Sequence, residues 1–376
     1  MRFTILREIF LKHLRAVGGA VEKRQSQALP ILANILIRVS NVDNRFSLTA
    51  TDQEVELIAG GEVEPGEDVL SGAITVPFRK LMDVCKALPD GIQLTLHLEG
   101  ERVIIRAGHS RFALSTLSAD QFPNVEESPN AFPLVISQKA LRTLIDSTSF
   151  AMAEQDVRYY LNGMLLEIKM SATGCFLYAV AADGHRLAER SMELIFNPQA
   201  VRVIVPRKGV LELQRALQEV DEEVALLIGA NHIRVVTDVL TLTCKLLSGR
   251  FPDYERLIPK EGTHTIVGQR LLLKNAFLRA SALFSEKFRG VKLVLTPGRL
   301  KILATNTECD DVEEDVEVEY TGEALEVGFN VRYLIDFLNI IQTDTVRFTF
   351  SGQNSSTRIE GVGADTGVYV IMPMRI

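Results

Sequence analysis

The chain has 376 residues, of which 47% are hydrophobic and 24% are charged, a balance typical of a globular protein with one or more sizeable cores. No apolar run approaches the roughly 20 residues of a membrane helix, and no basic segment followed by an apolar stretch opens the chain, so we expect a cytoplasmic protein with no membrane partner. The four cysteines stand far apart, which predicts reduced thiols and neither a disulfide framework nor a metal or cofactor site. A net charge of −7, taken alone, argues against nucleic-acid binding.

Three blocks of roughly 120–130 residues repeat the same order of predicted elements, a period typical of whole domains. Each block opens with a short strand followed by a helix. Apolar residues at helical spacing, such as Leu141, Leu144 and Ile145, predict these opening helices. Their predicted bounds are Arg7–Val17, Gln138–Phe150 and Gln269–Phe284.

A hairpin follows in the middle of each block, and a polar residue comes directly after its second strand. This residue is Asp52 in the first block, Asp183 in the second and Asn306 in the third. A side chain that accepts hydrogen bonds from the next backbone amides of a tight turn explains all three residues.

The second half of each block consists of a strand, a helix and further strands. Pro77 and Pro206 stand where the first turn of a helix tolerates proline, and Asn330 occupies the same place as an N-cap. The predicted second helices are Phe78–Leu88, Arg207–Val220 and Val331–Ile341. Alternating apolar residues predict the strands that follow.

Each block is therefore predicted to be an α+β domain, with two amphipathic helices packed on antiparallel sheets of about eight short strands. Links rich in proline, asparagine and acidic residues lie near Phe122–Pro133 and Phe251–Gly262. The predicted domains are 1–128, 129–257 and 258–376.

The charge is distributed unevenly between helices and the rest of the chain. The six predicted helices carry 15 basic and six acidic residues, about +9, which leaves about −16 elsewhere. If the helices share one surface, that surface attracts phosphate while the remainder repels it. Charged helix faces are usually only solvated, and the predicted helix Val331–Ile341 is neutral. The excess of basic residues in the helices therefore supports phosphate binding only if the helices line a common surface.

Helices that line the inside of a ring would share one surface. A ring of six helices packed about 10 Å apart leaves a central hole about 10 Å in diameter, whereas a ring of twelve leaves a hole of about 28 Å. Duplex DNA is about 20 Å wide. A ring of this chain around duplex DNA therefore needs two copies, arranged head to tail.

Eight segments, found in this order over nearly the whole chain, resemble the beta subunit of bacterial DNA polymerase III. They are Leu29–Leu32, Ala50–Asp52, Asp156–Gly163, Asp183–Leu187, Val205–Gly209, Gly249–Tyr254, Glu286–Val291 and Met372–Arg375. The resemblance implies three tandem DNA-clamp domains and a head-to-tail homodimer, closed as a pseudo-sixfold ring around duplex DNA. It implies a non-catalytic processivity factor, opened by a clamp loader, that tethers DNA polymerases and other proteins with clamp-binding motifs. DNA contacts would be to phosphates and independent of base sequence.

The resemblance also implies three sets of functional residues. A pocket for a peptide carrying leucine and phenylalanine, with an apolar slot and a polar rim of Arg and His, would be formed by Arg158, Leu161, Gly184, His185, Arg186, Leu187, Pro252, Arg256, Leu257, Met372, Pro373, Met374 and Arg375. The residues expected to face DNA are Arg24, Arg79, Lys80, Gln155, Tyr159, Tyr160, Arg207 and Lys208. Those expected at the dimer interface are Phe112 and Leu114 on one side, and Ala282 and Leu283 on the other.

Two other functions remain as alternatives. Asp183 and His185 could serve acid–base chemistry in a hydrolase, although Asp52 and Asn306 occupy the same position without a neighbouring histidine. No phosphate-binding loop or HExxH motif is present. The net charge of −7 favours the second alternative, an acidic peptide-binding scaffold that does not encircle DNA.

Overall fold

The computed structural model describes residues 1–22, 29–63, 69–125, 131–171, 173–195, 199–283, 289–305, 310–363 and 367–375. These residues form six α-helices and 24 strands. They belong to two compact units: unit 1 comprises residues 1–139 and 211–246, and unit 2 comprises residues 140–210 and 247–376. None of the described helices is long and apolar enough to cross a membrane.

The helices coincide with the periodic segments of the sequence. They are α1 (Arg7–Val17), α2 (Phe78–Ala87), α3 (Gln138–Asp146), α4 (Arg207–Ala216), α5 (Arg270–Ala280) and α6 (Val331–Ile340). In α1 the apolar stripe is fully buried at Phe10, Leu14 and Val17, as its spacing predicts. Asn330 caps α6 as predicted, because its side chain accepts a hydrogen bond from the backbone amide of Arg332.

The predicted end of α3 at Phe150 was wrong, since the helix ends at Asp146. The hydroxyls of Ser147 and Thr148 donate to the carbonyls of Thr143 and Leu144, at 2.6 and 2.7 Å. Such side-chain hydrogen bonds compete with the helical backbone ladder.

Two further helices are shorter than predicted, for a similar reason. Helix α4 ends at Ala216 rather than Val220, and the Gln138 side chain accepts a hydrogen bond from the backbone amide of Gln218 just beyond it. Helix α5 ends at Ala280 and continues only as one 3-10 turn, Ser281–Leu283. Just beyond α5, the Ser281 hydroxyl donates to the Leu278 carbonyl at 2.7 Å, so polar side chains bond the backbone at both helix ends although the apolar pattern continues in the sequence.

The described part of unit 1 forms twelve strands. They are β1 (Arg2–Leu6), β2 (Asn34–Ser40), β3 (Arg45–Thr51), β4 (Val55–Glu62), β5 (Gly72–Pro77), β6 (Gln93–Glu99), β7 (Arg102–Ala107), β8 (Ser110–Ser115), β9 (Phe132–Ser137), β14 (Glu223–Ile228), β15 (His232–Val236) and β16 (Leu240–Lys245). They form a four-stranded sheet, β1-β6-β7-β8, and an eight-stranded sheet, β5-β2-β3-β4-β16-β15-β14-β9.

Twelve strands likewise lie among the residues of unit 2 that the structure describes. They are β10 (Gly163–Ser171), β11 (Gly174–Ala182), β12 (Arg186–Leu194), β13 (Val201–Pro206), β17 (His264–Gln269), β18 (Gly290–Thr296), β19 (Arg299–Thr305), β20 (Asp311–Glu317), β21 (Leu325–Asn330), β22 (Thr345–Phe350), β23 (Thr357–Gly361) and β24 (Gly367–Ile371). They form an eight-stranded sheet, β13-β10-β11-β12-β24-β23-β22-β17, and a four-stranded sheet, β20-β19-β18-β21.

In the described residues, the three repeats follow one plan, with two helices and eight strands each, which confirms the prediction. In every repeat the second to fifth strands form one antiparallel set of four, and the first, sixth, seventh and eighth form another. Each eight-stranded sheet arises where the fourth strand of one repeat pairs with the eighth strand of the next, as in β4–β16 and β12–β24. The corresponding strands left over, β20 and β8, are edges of the two four-stranded sheets.

Successive side chains of β24 point to the two faces of the unit 2 sheet, one of which packs against helix α6. The ring of Tyr369 stacks on Phe337 of α6, with centroids 5.2 Å apart. Because successive side chains of a strand point to opposite faces, the buried neighbour Val370 lies on the other face of the sheet. That face carries the candidate site.

Candidate functional site

A cluster of buried side chains, which we call the apolar bed, covers this face of the unit 2 sheet. Its members are Ala153, Leu161, Leu165, Val180, Ala182, Leu187, Ile204, Phe251, Tyr254 and Val370. Strand pairing brings them together, because Leu165 lies opposite both Val180 and Ile204. Leu187 lies opposite Val370 across the β12–β24 pair. Two predicted pocket residues, Leu161 and Leu187, thus lie in the apolar bed.

The turn between β11 and β12 forms one border of the apolar bed. The Asp183 carboxylate accepts hydrogen bonds from the backbone amides of His185 and Arg186, at 2.9 and 3.0 Å. Asp52 makes the equivalent bonds in the first repeat, to the amides of Glu54 and Val55. This confirms that Asp183 is a turn-forming residue, whose carboxylate is engaged by its own backbone rather than aimed at His185.

Gly184 is required at this turn for two reasons. Its φ of +90° lies in the left-handed region that side chains other than glycine rarely adopt. A Cβ at this position would also lie 2.6 Å from Nη2 of Arg158. Arg158 therefore passes close over the turn, and its Nη2 donates to the Asp183 carbonyl at 3.3 Å.

Arg158 is held in place by Asp156, two residues earlier. Its backbone amide and its Nε both donate to Asp156 Oδ1, at 2.8 and 3.0 Å, and Nη2 donates to Oδ2 at 2.9 Å. These side-chain and backbone hydrogen bonds hold the pKa of Asp156 at about 2. The Arg158 side chain remains about half exposed.

Arg186 has a different environment from Arg158. Its Nε donates to Asp183 Oδ2 at 2.9 Å, its Nη1 to Asp336 Oδ2 at 2.6 Å and its Nη2 to the Phe150 carbonyl at 2.8 Å. The guanidinium also lies 4.3 Å from the ring centroid of Tyr333. Arg186 thus ties the turn to α6, and His185 is the exposed side chain of the pair.

The chain leaving β24 forms another border. The Met372 amide donates to the His185 carbonyl at 2.8 Å, and the Met374 amide donates to the Gly328 carbonyl at 2.9 Å. The side chains of Met372 and Met374 are 45% and 42% exposed, and methionine suits an adaptable apolar binding surface. Pro373 is half-buried between them, and Arg375 is exposed.

The segment 251–257 supplies the remaining predicted residues. Phe251 and Tyr254 are buried in the apolar bed, whereas Pro252 is half-buried. The 3-10 turn Tyr254–Leu257 exposes Arg256 and Leu257, the latter by 48%. The Leu257 carbonyl accepts a hydrogen bond from the Ser356 hydroxyl at 3.4 Å, next to Thr357, which pairs with Ile371 at the end of β24.

Side chains that the sequence reasoning missed surround the same segment. Tyr254 fills the apolar bed, and Glu167, Lys169 and Arg202 contact the segment from the sheet. The sequence did indicate Glu167 and Lys169, because both alternate with apolar residues along β10 and therefore lie on the same face of the sheet as Leu165.

The residues expected to face DNA are distributed over both units. Arg79 and Lys80 are exposed on α2, and Gln155 is exposed with a φ of 57°. Tyr159 is 52% exposed, whereas Tyr160 packs against the apolar bed. Arg207 is half-buried and donates to the Met152 carbonyl at 3.3 Å, and Lys208 beside it is half-buried. Arg24 lies outside the described residues.

The expected interface residues lie on or near sheet edges. Phe112 and Leu114 are half-buried neighbours on one face of the edge strand β8. Ala282 is exposed in the 3-10 turn after α5, near the edge strand β20. Leu283 ends the same turn, and its side chain lies outside the described part of the chain.

Other features of the described residues show no sign of chemistry. An open cleft of about 730 Å³ in unit 1, lined by Arg38, Asp43, Arg45 and Gly60 among others, contains none of the predicted residues. Within the described ranges, no three His, Cys, Asp or Glu residues are grouped to hold a metal ion. Cys85, Cys175 and Cys244 are buried, as predicted, and Cys309 is not among the described residues.

Known proteins match the chain along its whole length. Three family models match the chain. The model of the N-terminal domain of the DNA polymerase III beta subunit matches residues 1–126, that of the central domain matches 135–253 and that of the C-terminal domain matches 255–375. The chain is 50% identical to the beta sliding clamp of Pseudomonas aeruginosa and 45% identical to that of Escherichia coli, each over 100% of both chains.

Solved structures agree. The crystal structure of the DNA polymerase III subunit beta from Pseudomonas aeruginosa matches with a TM-score of 0.93 at 49% identity, and a sliding clamp from Bartonella birtlesii bound to griselimycin matches with 0.94 at 34%, each over 100% of both chains. The chain, with its three tandem clamp domains, therefore belongs to the DNA polymerase III beta subunit family, the non-catalytic sliding clamps of DNA replication.

Proposed function

We propose that two copies of this chain join head to tail, β8 of one against β20 of the other, and that the closed ring encircles duplex DNA. The observation that carries this proposal is the strand plan of the repeats. Fourth and eighth strands pair at β4–β16 and at β12–β24, and β20 and β8 are the remaining fourth and eighth strands. Pairing them would complete a further eight-stranded sheet and cover two open edges.

Charge favours unlike edges over like ones. Strand β20 carries five acidic residues among its seven, while Arg111 on β8 lies directly opposite Arg106 on β7. Like charges at paired positions are destabilising unless an opposite charge is near. Two acidic β20 edges side by side would repel each other, whereas β8 carries one arginine and no acidic residue, so pairing β8 with β20 avoids that repulsion. This selects a head-to-tail arrangement.

We call each pairing of a fourth strand with an eighth strand a joint. The joints inside the chain, β4–β16 and β12–β24, predict the contacts of the joint between copies. In the β12–β24 joint, Phe150 after α3 packs edge to face on Phe337 of α6, with centroids 5.6 Å apart. Counted from the starts of the helices, Ala282 after α5 corresponds to Phe150, and Val84 of α2 corresponds to Phe337. We therefore expect exposed Ala282 of one copy to approach Val84 of the other.

The helices then supply the DNA-facing surface. With the observed bounds, the six helices carry 15 basic and five acidic residues in a chain whose net charge is −7. Twelve such helices leave a hole of about 28 Å, enough for a duplex of about 20 Å. Contacts through Arg79, Lys80 and their counterparts would be to phosphates, which lets the ring slide over any base sequence.

The site on unit 2 is proposed to bind short peptides of polymerases, of the clamp loader and of other DNA enzymes. The apolar bed, with exposed Leu257, Met372 and Met374 beside it, can receive leucine and phenylalanine side chains. Arg158 and His185 are positioned to bind polar groups of the peptide. Tethering at this site gives a polymerase a high effective concentration at the primer end. The complex would act in the cytoplasm, on the nucleoid.

The test measures the mass of the protein in solution and its retention on circular DNA. Sedimentation equilibrium is expected to give twice the monomer mass of 41.8 kDa. After incubation with a clamp loader and ATP, the protein should stay on nicked circular DNA and be lost when the circle is cut. A protein equally absent from circular and linear DNA, yet still able to bind the peptide, would instead establish the alternative, an acidic scaffold that does not encircle DNA.

A further inference from the structure

A network of charged side chains lies beside the apolar bed, between β10 and the segment Phe251–Leu257. At its centre, Nζ of Lys169 donates to the Tyr254 hydroxyl at 2.8 Å and contacts the Glu255 carboxylate. The same ammonium lies 4.2 Å from the ring centroid of Tyr178 and 5.0 Å from that of Tyr254. Lys169 thus holds two consecutive residues of the segment.

Glu167 and Arg202 hold the same segment at other points. Glu167 accepts hydrogen bonds from the Tyr254 hydroxyl at 3.0 Å and from Arg202 Nη1 at 2.9 Å. Nη2 of Arg202 donates to the carbonyls of Phe251 and Pro252, at 3.3 and 3.4 Å. We call Glu167, Lys169 and Arg202 the anchor residues.

The segment needs such support. Its only regular element is the single 3-10 turn Tyr254–Leu257, and turns of this kind have poor hydrogen-bond geometry and little stability of their own. Phe251 and Tyr254 point into the apolar bed, whereas Arg256 and Leu257 are exposed, so their own packing does not fix them. Their position depends on what holds the turn.

Stability alone does not account for the anchor residues. Glu167 is only 9% exposed and Tyr254 only 2%. Removing the Glu167 charge from water costs several kcal/mol, which its attraction to Lys169 and Arg202 roughly offsets, and well-packed apolar side chains would stabilise the fold as well. Directed hydrogen bonds, unlike apolar packing, fix the orientation of the turn.

We infer that Glu167, Lys169 and Arg202 are positioning residues of the peptide pocket, which hold Phe251–Leu257 so that Arg256 and Leu257 form one fixed wall of it. The inference rests on the proposed function of the pocket. Without the anchor residues the wall would move relative to the apolar bed, and a bound peptide would dissociate faster.

The test measures binding of a fluorescein-labelled peptide that carries leucine and phenylalanine, by anisotropy and stopped flow on the full chain. Lys169→Met keeps the length of the side chain and removes its charge, and Tyr254→Phe removes only a hydroxyl. Each should raise Kd about tenfold, mainly through the dissociation rate, while Lys169→Arg should restore most of the affinity. Lys292→Met, which removes a similar exposed ion pair with Glu326 on another sheet, should leave Kd unchanged.

A double-mutant cycle separates positioning from general loosening. If Lys169 acts through the wall, Lys169→Met and Leu257→Ala together should weaken binding no more than the stronger single change. Combined with His185→Ala, in the turn between β11 and β12, its effect should add. Unchanged Kd in Lys169→Met and Tyr254→Phe, or additivity with Leu257→Ala, would overturn the positioning role alone. A wild-type chain that does not bind the peptide would overturn the proposed pocket together with it.

Discussion

Arg186 of β12 and Asp336 of α6 form an ion pair with 2.6 Å between Nη1 and Oδ2, 150 positions apart in the sequence. The same guanidinium binds Asp183 and lies over the ring of Tyr333. Arg186 is expected, by resemblance, to border the peptide pocket. Its side chain ties the turn that carries His185 to α6.

Replacing Arg186 by methionine should be strongly destabilising. The change leaves the Asp183 and Asp336 carboxylates, which are 17% and 28% exposed, without their cation. We expect urea denaturation to show a free energy of unfolding lowered by about 2–4 kcal/mol. Arg299→Met removes an exposed arginine and should change it by less than about 0.5 kcal/mol. Equal losses in the two variants would contradict the role given to Arg186.

Gly184→Ala should weaken peptide binding without unfolding the chain. The left-handed φ of +90° becomes strained, at a cost of about 1–2 kcal/mol, and the new methyl group displaces Arg158 from the turn. Anisotropy with the labelled peptide should show Kd raised about tenfold. Gly298→Ala, in a hairpin of the other unit 2 sheet with a φ of +75° and open space around it, is the control for strain alone. A Kd that rises equally in both variants would exclude a local effect.

Leu114→Asp should produce a monomer. Leu114 lies on the half-buried face of β8, where a charge would enter the proposed joint with β20. Sedimentation equilibrium should then give 41.8 kDa instead of twice this mass. Ala113→Asp places the same charge on the exposed face of the same strand and should remain dimeric. A dimeric Leu114→Asp protein would show that β8 is not the interface.

Glu189 should make the stability of the chain depend on pH. Burial raises the pKa of its carboxyl to about 7, against the pull of Lys169 and Arg358 and with the help of Glu255 and Glu167. The folded chain therefore binds the proton more tightly than the unfolded chain. Between about pH 4.5 and 7 unfolding releases that proton, so the free energy of unfolding falls as pH rises through this range.

Glu189→Gln tests this pH dependence directly. The amide carries no charge at any pH, so the variant should be more stable than the wild type at pH 8, by on the order of 2 kcal/mol, and closer to it at pH 5. Urea denaturation at a series of pH values gives both profiles. Glu193→Gln, at an exposed position of the same strand, is the matched control. Parallel profiles for the wild type and Glu189→Gln would count against the raised pKa.

The order of elements and the turn chemistry could be predicted because they are local. Helical and strand periodicity is expressed within windows of roughly 11–18 residues, and Asp183 accepts from amides only two and three positions away. The helix ends were less predictable, because hydroxyl and amide side chains such as Thr148 and Gln138 compete with the backbone where the apolar pattern continues.

The amino-acid sequence by itself thus determined three α+β repeats, their two helices and eight strands each, and the turn at Asp183. Only the tertiary structure decided which strands join one repeat to the next and what holds the wall of the pocket. The β12–β24 pairing and the bond between Lys169 and Tyr254, 85 positions apart, join residues distant in the chain. Strand edges and alternating faces offer many such partners of similar local pattern, and only the packing of the whole unit selects among them.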